Sequence, residues 1–401
     1  MDIDLNDPLT LRDPYPAYAR IREAGACVRN ERAGVWMVAR HAEAMSVLND
    51  GDTYSSSVLA EDPGPWFGES PTMISSDGDI HKRLRSAVRH AFTARRMAHR
   101  EKVIREVVTE QFSQARVDER LRSGETVDLA SEVLARVPIL VTAQLLGIPS
   151  DWLDAFTEVA NALVVYTGAG EASTDSVDMR AARSAAVAAN EVLWTWTQER
   201  LRTGPADERD VLSSLSRAVR DGLLAPDEAV ATVVLLILAG TDSSMKFLTM
   251  AVRLLVLHPE ARKQLEATGH ATVDIVEEFV RFGGPVQLDA RRATRRHVLA
   301  GTTIAAGDDV WVLTAAANRD HRVFADPDRL LLDRPPTPNL GFGWGRHYCL
   351  GAPAARLQTA AVLDRFLELP NELEVVSTEW GRGMFVRGPV SLTLRAVRPP
   401  K

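Results

Sequence analysis

The sequence predicts a mainly α protein with small β-sheets, and three observations support this fold class. Helical patterns recur through most of the 401 residues, whereas strand-like patterns are short. The longest apolar run, Ala229 to Ala239, lies in a helical pattern that is apolar nearly all round, as in a helix that crosses a protein core. No repeat and no Pro/Ser or Gly/Ser linker divides the sequence, so we expect a single domain over residues 1–401.

The expected elements follow from periodicity and from start and stop signals. Helices are predicted at residues 16–24, 41–48, 80–92, 97–122, 127–146, 150–165, 179–203, 225–258 and 352–369. Strands are predicted at residues 34–38, 302–305, 309–313, 373–376 and 389–394. Residues 55–79 are rich in Ser, Pro and Gly and predict a long loop, which in a compact domain is usually functional. A Gly/Ser/Thr-rich stretch near Thr167–Asp178 predicts an interruption between two helices.

Composition excludes several classes of protein. With 45% hydrophobic and 25% charged residues, the chain has ordinary globular usage. Only two cysteines, Cys27 and Cys349, argue against a disulfide framework and a Cys-rich zinc site. The acidic N-terminus lacks the features of a signal peptide, and the longest apolar run has 11 residues, against about 20 for a membrane span. A net charge of −7 argues against nucleic-acid binding. We expect a cytoplasmic protein with no membrane or nucleic-acid partner.

The sharpest local feature is the segment GFGWGRHYCLG, residues 341–351, which precedes a helical pattern. Its alternating glycines let the backbone approach a flat ligand closely. Cys349 lies at the mouth of the helix, where free N–H groups and the dipole favour a thiolate, and Arg346 and His347 add positive charge. A lone thiolate in such a loop suits a soft metal centre such as haem iron. Cys27, without such surroundings, is expected to be a small buried hydrophobe.

This segment resembles the haem-binding loop of the cytochromes P450, the haem-thiolate monooxygenases. Other segments match the family in order from about Asp13 to Leu394. The resemblance implies a P450 fold with haem b buried between a long central helix and the helix after the cysteine loop. It makes Cys349 the metal ligand. It also implies haem-binding roles for four residues of the loop, Phe342, Gly345, His347 and Gly351.

Glu278 and Arg281 are spaced i, i+3 on one helix face. From the residues alone, such a pair is more often solvated than functional. By resemblance the two match the buried Glu-x-x-Arg motif of the family, with Arg334 as the later arginine of the network. We expect this network to hold the cysteine loop.

Haem carries two propionates, which need cationic partners. His81 and Arg85 are spaced i, i+4 and share a helix face. By resemblance the propionate partners are His81, Arg85, Arg291 and His347; Arg292 competes with Arg291 for its place. The alternative for each is an ordinary surface cation.

The sequence AGTDSS, residues 239–244, lies in the middle of the long apolar helix. On its own it could be a Ser/Thr kink with a solvated acid. By resemblance it is the oxygen-binding groove, in which Gly240 leaves room above the iron and Asp242 with Ser243 relays protons. The family usually has Thr where this chain has Ser243, so the coupling of electron use to oxygen insertion is left open.

Residues 81–102 contain eight basic residues and one acid. A solvated or nucleic-acid-binding face is one interpretation. By resemblance the segment flanks the cysteine side of the haem, so a ferredoxin-type electron donor would dock near Lys82–Lys102 and Arg346 by electrostatic steering. The sequence has no nucleotide-binding Gly-x-Gly-x-x-Gly fingerprint, so electrons are expected from a separate ferredoxin and its reductase.

The resemblance implies a monooxygenase that uses O2 to hydroxylate or otherwise oxidise a small to mid-sized apolar or aromatic organic molecule, as in secondary metabolism. Two alternatives stay open, oxidative coupling or cyclisation without oxygen insertion, and haem binding without turnover. Apolar side chains near the expected haem are candidate pocket walls, although plain core packing is the commoner role for any single one. These candidates are Trp66, Phe67, Met73, Ile74, Leu235, Leu236, Ala239, Val286, Leu288, Met384, Phe385 and Val386.

Overall fold

The computed structural model describes residues 1–61, 64–168, 177–204, 210–381 and 383–397. The α-helices within these ranges are α1 (Pro8–Arg12), α2 (Tyr15–Ala24), α3 (His41–Asn49), α4 (Gly78–Val88), α5 (Ala94–Ala98), α6 (Glu101–Gln114), α7 (Val117–Ser123), α8 (Arg136–Leu146), α9 (Leu153–Gly168), α10 (Val177–Thr203), α11 (Val211–Arg220), α12 (Pro226–Leu257), α13 (Pro259–Thr268), α14 (Val273–Gly283), α15 (Thr314–Ala317) and α16 (Ala352–Leu367). The strands are β1 (Val28–Asn30), β2 (Val35–Val38), β3 (Tyr54–Ser55), β4 (Val127–Asp128), β5 (Asp289–Ala293), β6 (His297–Leu299), β7 (Thr302–Ile304), β8 (Asp309–Val312), β9 (Leu373–Trp380) and β10 (Pro389–Ala396).

The predicted fold class, mainly α with small sheets, is confirmed. The largest sheet has the strand order β1-β2-β8-β5-β3, with β2 and β8 parallel and the other pairs antiparallel. A second sheet has the order β4-β10-β9, and β6 pairs with β7. Every strand that the sequence predicts is present, whereas the short strands β1, β3, β4, β5 and β6 were not predicted.

Two predicted helices are divided in the structure. The expected helix 97–122 is interrupted after α6, because Arg116 adopts the left-handed backbone conformation with φ 51°. The expected helix 127–146 begins instead as strand β4 and a π-helical turn at Ala130–Leu134. Asp128 explains this change, since its Oδ1 accepts a hydrogen bond from the Leu392 N–H of β10 at 2.9 Å. Residues 169–176 of the predicted Gly/Ser/Thr interruption lie outside the described residues.

Helix α12 forms the centre of the molecule. It packs against α8, α9, α10, α14 and α16 and against the β9–β10 hairpin. Pro226 occupies its first turn, and the Glu228 carboxylate accepts a hydrogen bond from the Ala225 N–H at 2.9 Å, which satisfies a free donor at the helix start. By length and composition α12 could cross a membrane, but 67% of its most apolar window is buried inside the protein, as in a core helix.

The core divides into one large cluster and two smaller ones. The large cluster surrounds α12 and includes α6, α8, α14 and α16. The smaller clusters cover the two faces of the five-stranded sheet, against α3 on one side and α2 on the other. The cysteine loop lies where these parts meet: it contacts the end of α3 and leads into α16, which packs on α12.

Candidate functional site

The backbone of the cysteine loop is held in one shape by its own hydrogen bonds and by α3. The Cys349 N–H donates to the Phe342 carbonyl at 2.8 Å. Gly343 and Gly345 have φ values of 71° and 70°, in the left-handed region that favours glycine. A Cβ atom on Gly345 would lie 2.6 Å from the Leu48 carbonyl oxygen. Gly345 therefore allows the loop to lie directly on the end of α3.

Burial and nearby donors act on Cys349 in opposite directions. Burial raises the pKa of the Cys349 thiol, while the backbone N–H of Gly351, the Arg85 guanidinium and the N–H of Ala352 lower it. The net direction is upward without a metal ion, and the thiolate remains a prediction for the haem-bound protein. Desolvation is the larger effect, and a bound metal ion would favour the thiolate, because a metal ion deprotonates a coordinating thiol. The two N–H groups would then hydrogen-bond the thiolate.

One face of α12 is accessible although the rest of its central part is buried. The face consists of small and aliphatic side chains at spacings i, i+3, i+4, i+7 and i+8, all exposed or half-buried: Leu236, Ala239, Gly240, Ser243 and Ser244. This pattern places the accessible residues in one stripe along the helix. A flat ligand can lie against such a stripe, which fits a haem held between α12 and the loop that leads into α16.

In the structure, Gly240 lies at a close contact between helices α12 and α8. A Cβ atom at this position would lie 3.2 Å from Thr142 Oγ1 on α8, so the absent side chain lets α8 approach α12 closely. This contact does not test the role of Gly240 in leaving room above the iron, which stays a prediction. The glycine shapes the site through helix packing.

Asp242 and Ser243 have different surroundings and hydrogen-bond partners. Ser243 lies in the accessible stripe, and its Oγ donates to the Ala239 carbonyl at 2.7 Å. Asp242 is buried, and its Oδ2 accepts a hydrogen bond from Lys246 Nζ at 2.7 Å. The two side chains share no hydrogen bond in the described structure. Helix α12 runs unbroken through both residues.

The four predicted propionate partners include two histidines in close contact. The rings of His81 and His347 are 4.3 Å apart. His81 Nε2 is buried without a hydrogen-bond partner. His347 Nε2 lies 3.1 Å from Ser56 Oγ and 3.7 Å from Asp77 Oδ1. Burial, with Arg291 and His81 nearby, lowers the pKa of His347 to about 4. Positive charge is thus crowded around these rings.

The two arginines of this cluster bond only to carbonyls. Arg85 Nη2 donates to the Tyr348 carbonyl at 2.5 Å, and Arg291 Nη1 donates to the Ala290 carbonyl at 2.7 Å. Neither forms an ion pair within the described part of the chain. Partly buried cations without carboxylate partners are unfavourable on their own. The cluster therefore suits an anionic ligand with more than one carboxylate, as the haem propionates would provide.

Glu278, Arg281 and Arg334 form a buried network. Arg281 meets the Glu278 carboxylate with two hydrogen bonds, Nε to Oε2 at 2.7 Å and Nη2 to Oε1 at 2.8 Å. Arg334 Nε donates to the same Oε2 at 3.0 Å, and the Leu331 N–H donates to Oε1 at 2.9 Å. The Glu278 and Arg281 side chains are 3% and 2% exposed, so the solvated-pair interpretation does not apply. Arg281 Nη1 also donates to the Asn318 carbonyl, which ties α14 to the segment after α15.

The candidate pocket residues separate into groups. Val286 and Val386 form an isolated antiparallel bridge, and the Gln287 N–H donates to the Phe385 carbonyl at 2.9 Å, so these two segments meet. Leu288 is buried in the cluster beside α2, and Met384 packs against the same cluster. Both residues have core-packing surroundings, and their role as pocket walls stays a prediction. Ile74 and Phe385 are exposed, Leu236 and Ala239 lie in the accessible stripe, and the large cluster contains Trp66, Phe67, Met73 and Leu235.

The front of the long loop is anchored to α10. The Trp66 carbonyl accepts hydrogen bonds from Trp194 Nε1 at 3.1 Å and from Asn190 Nδ2 at 3.2 Å. The Trp66 ring also lies 5.4 Å from the Tyr166 ring. This part of the loop is therefore fixed to the helices that cover the site.

The basic segment 81–102 does not form one free patch. Arg83 is paired in a bidentate way with Glu228, and Arg85 points to the Tyr348 carbonyl. Lys82 meets Asp79, and Lys102 meets Glu106. Three other arginines of the expected docking surface have different surroundings. Arg346 is paired with Asp52, while Arg89 and Arg95 are exposed with no ion pair in the described ranges.

Sequence reasoning missed two side chains that brace the site. Arg356 on α16 donates to the Tyr348 hydroxyl at 2.7 Å, pairs with Glu277 at 2.5 Å and lies 4.7 Å from the Phe342 ring. Through these contacts Arg356 holds two residues of the cysteine loop, Tyr348 and Phe342, against α16. Lys246 holds Asp242. Each is an ordinary helix cation by sequence, and only the partners from distant segments reveal its place.

Comparison with known proteins is consistent with this site. The sequence model of the family described as Cytochrome P450 matches residues 270–370. A mycinamicin IV hydroxylase/epoxidase from Micromonospora griseorubida is 33% identical over 367 residues, which cover 89% of this chain and 88% of the relative. A nocardicin C N-oxygenase from Nocardia uniformis subsp. tsuyamanensis is 30% identical, with 96% of each chain covered. Cytochrome P450 CYP109Q5 from Chondromyces apiculatus superposes with a TM-score of 0.84, at 28% identity and 98% coverage of both chains.

The fold and the site define a helical protein that holds a flat, anionic, metal-containing ligand beside a single cysteine. The chain belongs to the cytochrome P450 family, in agreement with the resemblance seen in the sequence. It is a haem b monooxygenase of the kind found in bacterial secondary metabolism. Its substrates include O2 and a small organic molecule.

Proposed function

We propose that this P450 uses Cys349 as its axial haem ligand and oxidises a mid-sized apolar or aromatic organic molecule over the α12 stripe. The whole chain, residues 1–401, would act as a single domain in the cytoplasm. The observation that carries the proposal is the cluster of two arginine cations, Arg85 and Arg291, and two imidazoles, His81 and His347, gathered beside the cysteine loop. Their chemistry matches two propionates.

Within this proposal each residue has a separate task. Haem, when bound, supplies the activation of O2 and the oxidising power. The N–H groups of Gly351 and Ala352 stabilise the thiolate of Cys349. Phe342 packs under Arg356 and closes the loop against water. Asp242 Oδ1 takes up a proton and Ser243 Oγ passes it on toward the reacting face.

A test of the reaction uses the mass of the product. The purified holoenzyme is supplied with a ferredoxin, its reductase and candidate molecules that shift the iron spin state. We expect a product with one added oxygen atom that derives from labelled O2. Loss of two hydrogens without oxygen uptake would instead indicate coupling or cyclisation and would contradict the proposed oxygenation.

The hydroxyl of Ser243 is expected to limit leakage of reducing equivalents. Ser243→Ala removes an O–H group that donates and accepts protons, so more electrons should appear as hydrogen peroxide. The measurement is peroxide released per NAD(P)H consumed in the presence of substrate. Thr232→Val is the matched control, because Thr232 Oγ1 makes the same bond to the carbonyl four residues earlier but is buried and lies about three turns before Ser243 along α12. Equal leakage in both variants would exclude the relay role.

Retention of haem should depend on Arg85 but not on Arg83. Loss of a hydrogen bond to a charged group costs about 1.5–3 kcal/mol, so Arg85→Gln should release haem roughly 10 to 100 times more readily. Transfer of haem to an apoglobin acceptor measures this rate. Arg83→Gln, on the same helix but paired with Glu228, should leave the rate near that of the wild type. Identical rates for the two variants would contradict propionate binding by Arg85.

For electron supply we propose a ferredoxin-type donor that docks at the exposed part of segment 82–102 and near Arg346. The support is electrostatic: Arg89 and Arg95 are exposed and carry no ion pair in the described ranges, while an acidic donor would be attracted to them.

Charge reversal at this surface should slow reduction of the haem iron. Arg89→Glu and Arg95→Glu together should lower the rate of electron transfer from the donor about tenfold at low ionic strength, and the difference should shrink as salt is added. Stopped-flow reduction under carbon monoxide gives the rate. Arg20→Glu is the control, because Arg20 is an exposed residue of α2, which packs on the other part of the fold. An equal loss in the control would argue against this docking surface.

A further inference from the structure

Lys246 is a buried lysine next to the carboxylate that the proposed relay uses. Its Nζ lies 2.7 Å from Asp242 Oδ2, and the lysine side chain is only 2% exposed. A buried ammonium is costly unless it is paired and hydrogen-bonded. A hydrophobic side chain of similar volume would pack here at lower cost, so the charge at Lys246 calls for an explanation in terms of Asp242.

The backbone of the C-terminal hairpin fixes the position of this ammonium group. Nζ donates a second hydrogen bond to the Val386 carbonyl at 3.3 Å. A Cβ atom on Gly388 would overlap the Lys246 side chain, and a Cβ atom on Gly381 would lie 3.1 Å from Lys246 Cε. The lysine stem therefore lies under two glycines that flank the β9–β10 turn. The position of the ammonium group is therefore fixed, because the main chain of the hairpin already packs against the lysine side chain.

Only one oxygen of the Asp242 carboxylate has a hydrogen-bond partner among the described residues. Oδ2 receives the lysine, whereas Oδ1 is buried without a hydrogen-bond partner among the described residues. A buried carboxylate oxygen without a donor is unusual and unfavourable. It is an acceptor held ready for a proton or a water molecule.

We propose that Lys246 is a positioning residue for proton delivery: through Oδ2 it keeps Asp242 ionised and turned, so that Oδ1 is the atom that accepts the proton destined for Ser243. This inference rests on the relay function proposed above. In one cycle Oδ1 gains a proton that comes from solvent water and gives it up toward the Ser243 hydroxyl. Lys246 keeps its proton throughout, and no electrons are exchanged.

Other charged groups on the neighbouring elements have partners of their own. On the hairpin, the Arg387 guanidinium lies over the Trp380 ring at 4.1 Å and donates to the carbonyls of Leu11 and Arg12. On α12, Arg253 lies two turns further along and donates weakly to Thr378 Oγ1 at 3.4 Å. Neither forms a hydrogen bond or ion pair with Asp242 or Lys246 in the described structure. Of these cations, Lys246 is the one that contacts the Asp242 carboxylate in the described structure.

The test compares three variants of the holoenzyme, Lys246→Met, Asp242→Asn and the double variant. Met has a similar length and no charge, so it keeps most of the packing. The first measurement is infrared spectroscopy of protein with labelled aspartate. At neutral pH we expect a protonated carboxylic acid band in Lys246→Met that is absent from the wild type and from the double variant. Lys263→Met, on an exposed site of α13, is the matched control and should show no such band.

The second measurement is the pH profile of peroxide leakage. Loss of a general acid–base group typically costs roughly 10²-fold or more, and a positioning residue should cost less, about tenfold in the proton-dependent step. In Lys246→Met leakage should fall as the pH rises, because alkaline conditions ionise Asp242 again. The wild type and Lys263→Met should show no such slope. A purely structural ion pair would lower stability without creating either the band or the slope.

The outcomes separate the two proposals. If Asp242→Asn does not raise leakage, the relay is wrong and the role of Lys246 is overturned with it. If Asp242→Asn raises leakage but Lys246→Met shows neither band nor slope, the relay stands and the positioning role is overturned. If Lys246→Met does not fold, Lys246→Gln, which keeps a polar end group, is measured in the same way, and the same two readouts decide.

Discussion

Replacement of Cys349 by Ser should abolish the absorption band of the reduced, carbon monoxide-bound protein that is typical of thiolate ligation. A serine hydroxyl is a hard and weakly acidic ligand, whereas iron in this setting takes charge from a soft thiolate. We expect monooxygenase turnover to be lost with the band. Haem itself should still bind to some extent, since the cationic cluster that would hold the propionates is untouched.

The second cysteine provides the control for this experiment. Cys27 is also largely buried, and burial raises the pKa of its thiol to about 12 with no donor to oppose it. Cys27→Ser should leave the band and the turnover unchanged. A thiolate band that survived Cys349→Ser would show that another atom binds the iron, and the assignment of the site would have to be abandoned.

Loss of the carboxylate of Glu278 should produce the largest fall in stability of any single exchange near the site. Glu278→Ala leaves Arg281 and Arg334 as buried cations without their shared anion, and removal of one partner from a buried pair costs about 3–5 kcal/mol. Urea denaturation followed by tryptophan fluorescence measures the free energy of unfolding. The haem spectrum, recorded in parallel, should show loss of haem at lower urea than in the wild type.

The exposed pair Arg395–Glu374 is a suitable comparison. Its side chains are 50% and 45% exposed, and the arginine reaches the carboxylate at 2.6 Å. Glu374→Ala should cost less than about 1 kcal/mol, because solvent screens such a pair. If the two variants lost similar amounts of stability, the buried network would not be what holds α14 and the cysteine loop in place.

Features that depend on neighbours along the chain were predictable from the sequence. The glycines of the cysteine loop, the Pro and acids at the start of α12 and its apolar centre all act locally, and the resulting elements are found within a few residues of the expected positions. The division of the helix at 127–146 was not predictable, because the cause is a backbone donor on β10, more than 260 residues away.

Charged side chains were harder to interpret for the same reason. Arg83 and Arg85 look alike in the sequence, yet one meets Glu228 and the other faces the cysteine loop. Asp242 and Lys246 look like a solvated i, i+4 pair. Two glycines of the C-terminal hairpin pack closely against the Lys246 side chain, which the spacing along α12 cannot reveal. The contact of Gly240 with Thr142 on α8 likewise depends on a residue far away in the sequence.

The anchoring of Trp66 bears on any attempt to redesign the substrate range. Its carbonyl is held by two side chains of α10, so a change of backbone at the front of the loop would be transmitted to that helix. Trimming the indole to admit bulkier molecules would also open a void in the core. Ile74 follows Trp66 in the same loop and is exposed, so substitutions there should disturb the core less. Libraries of variants should therefore begin at Ile74.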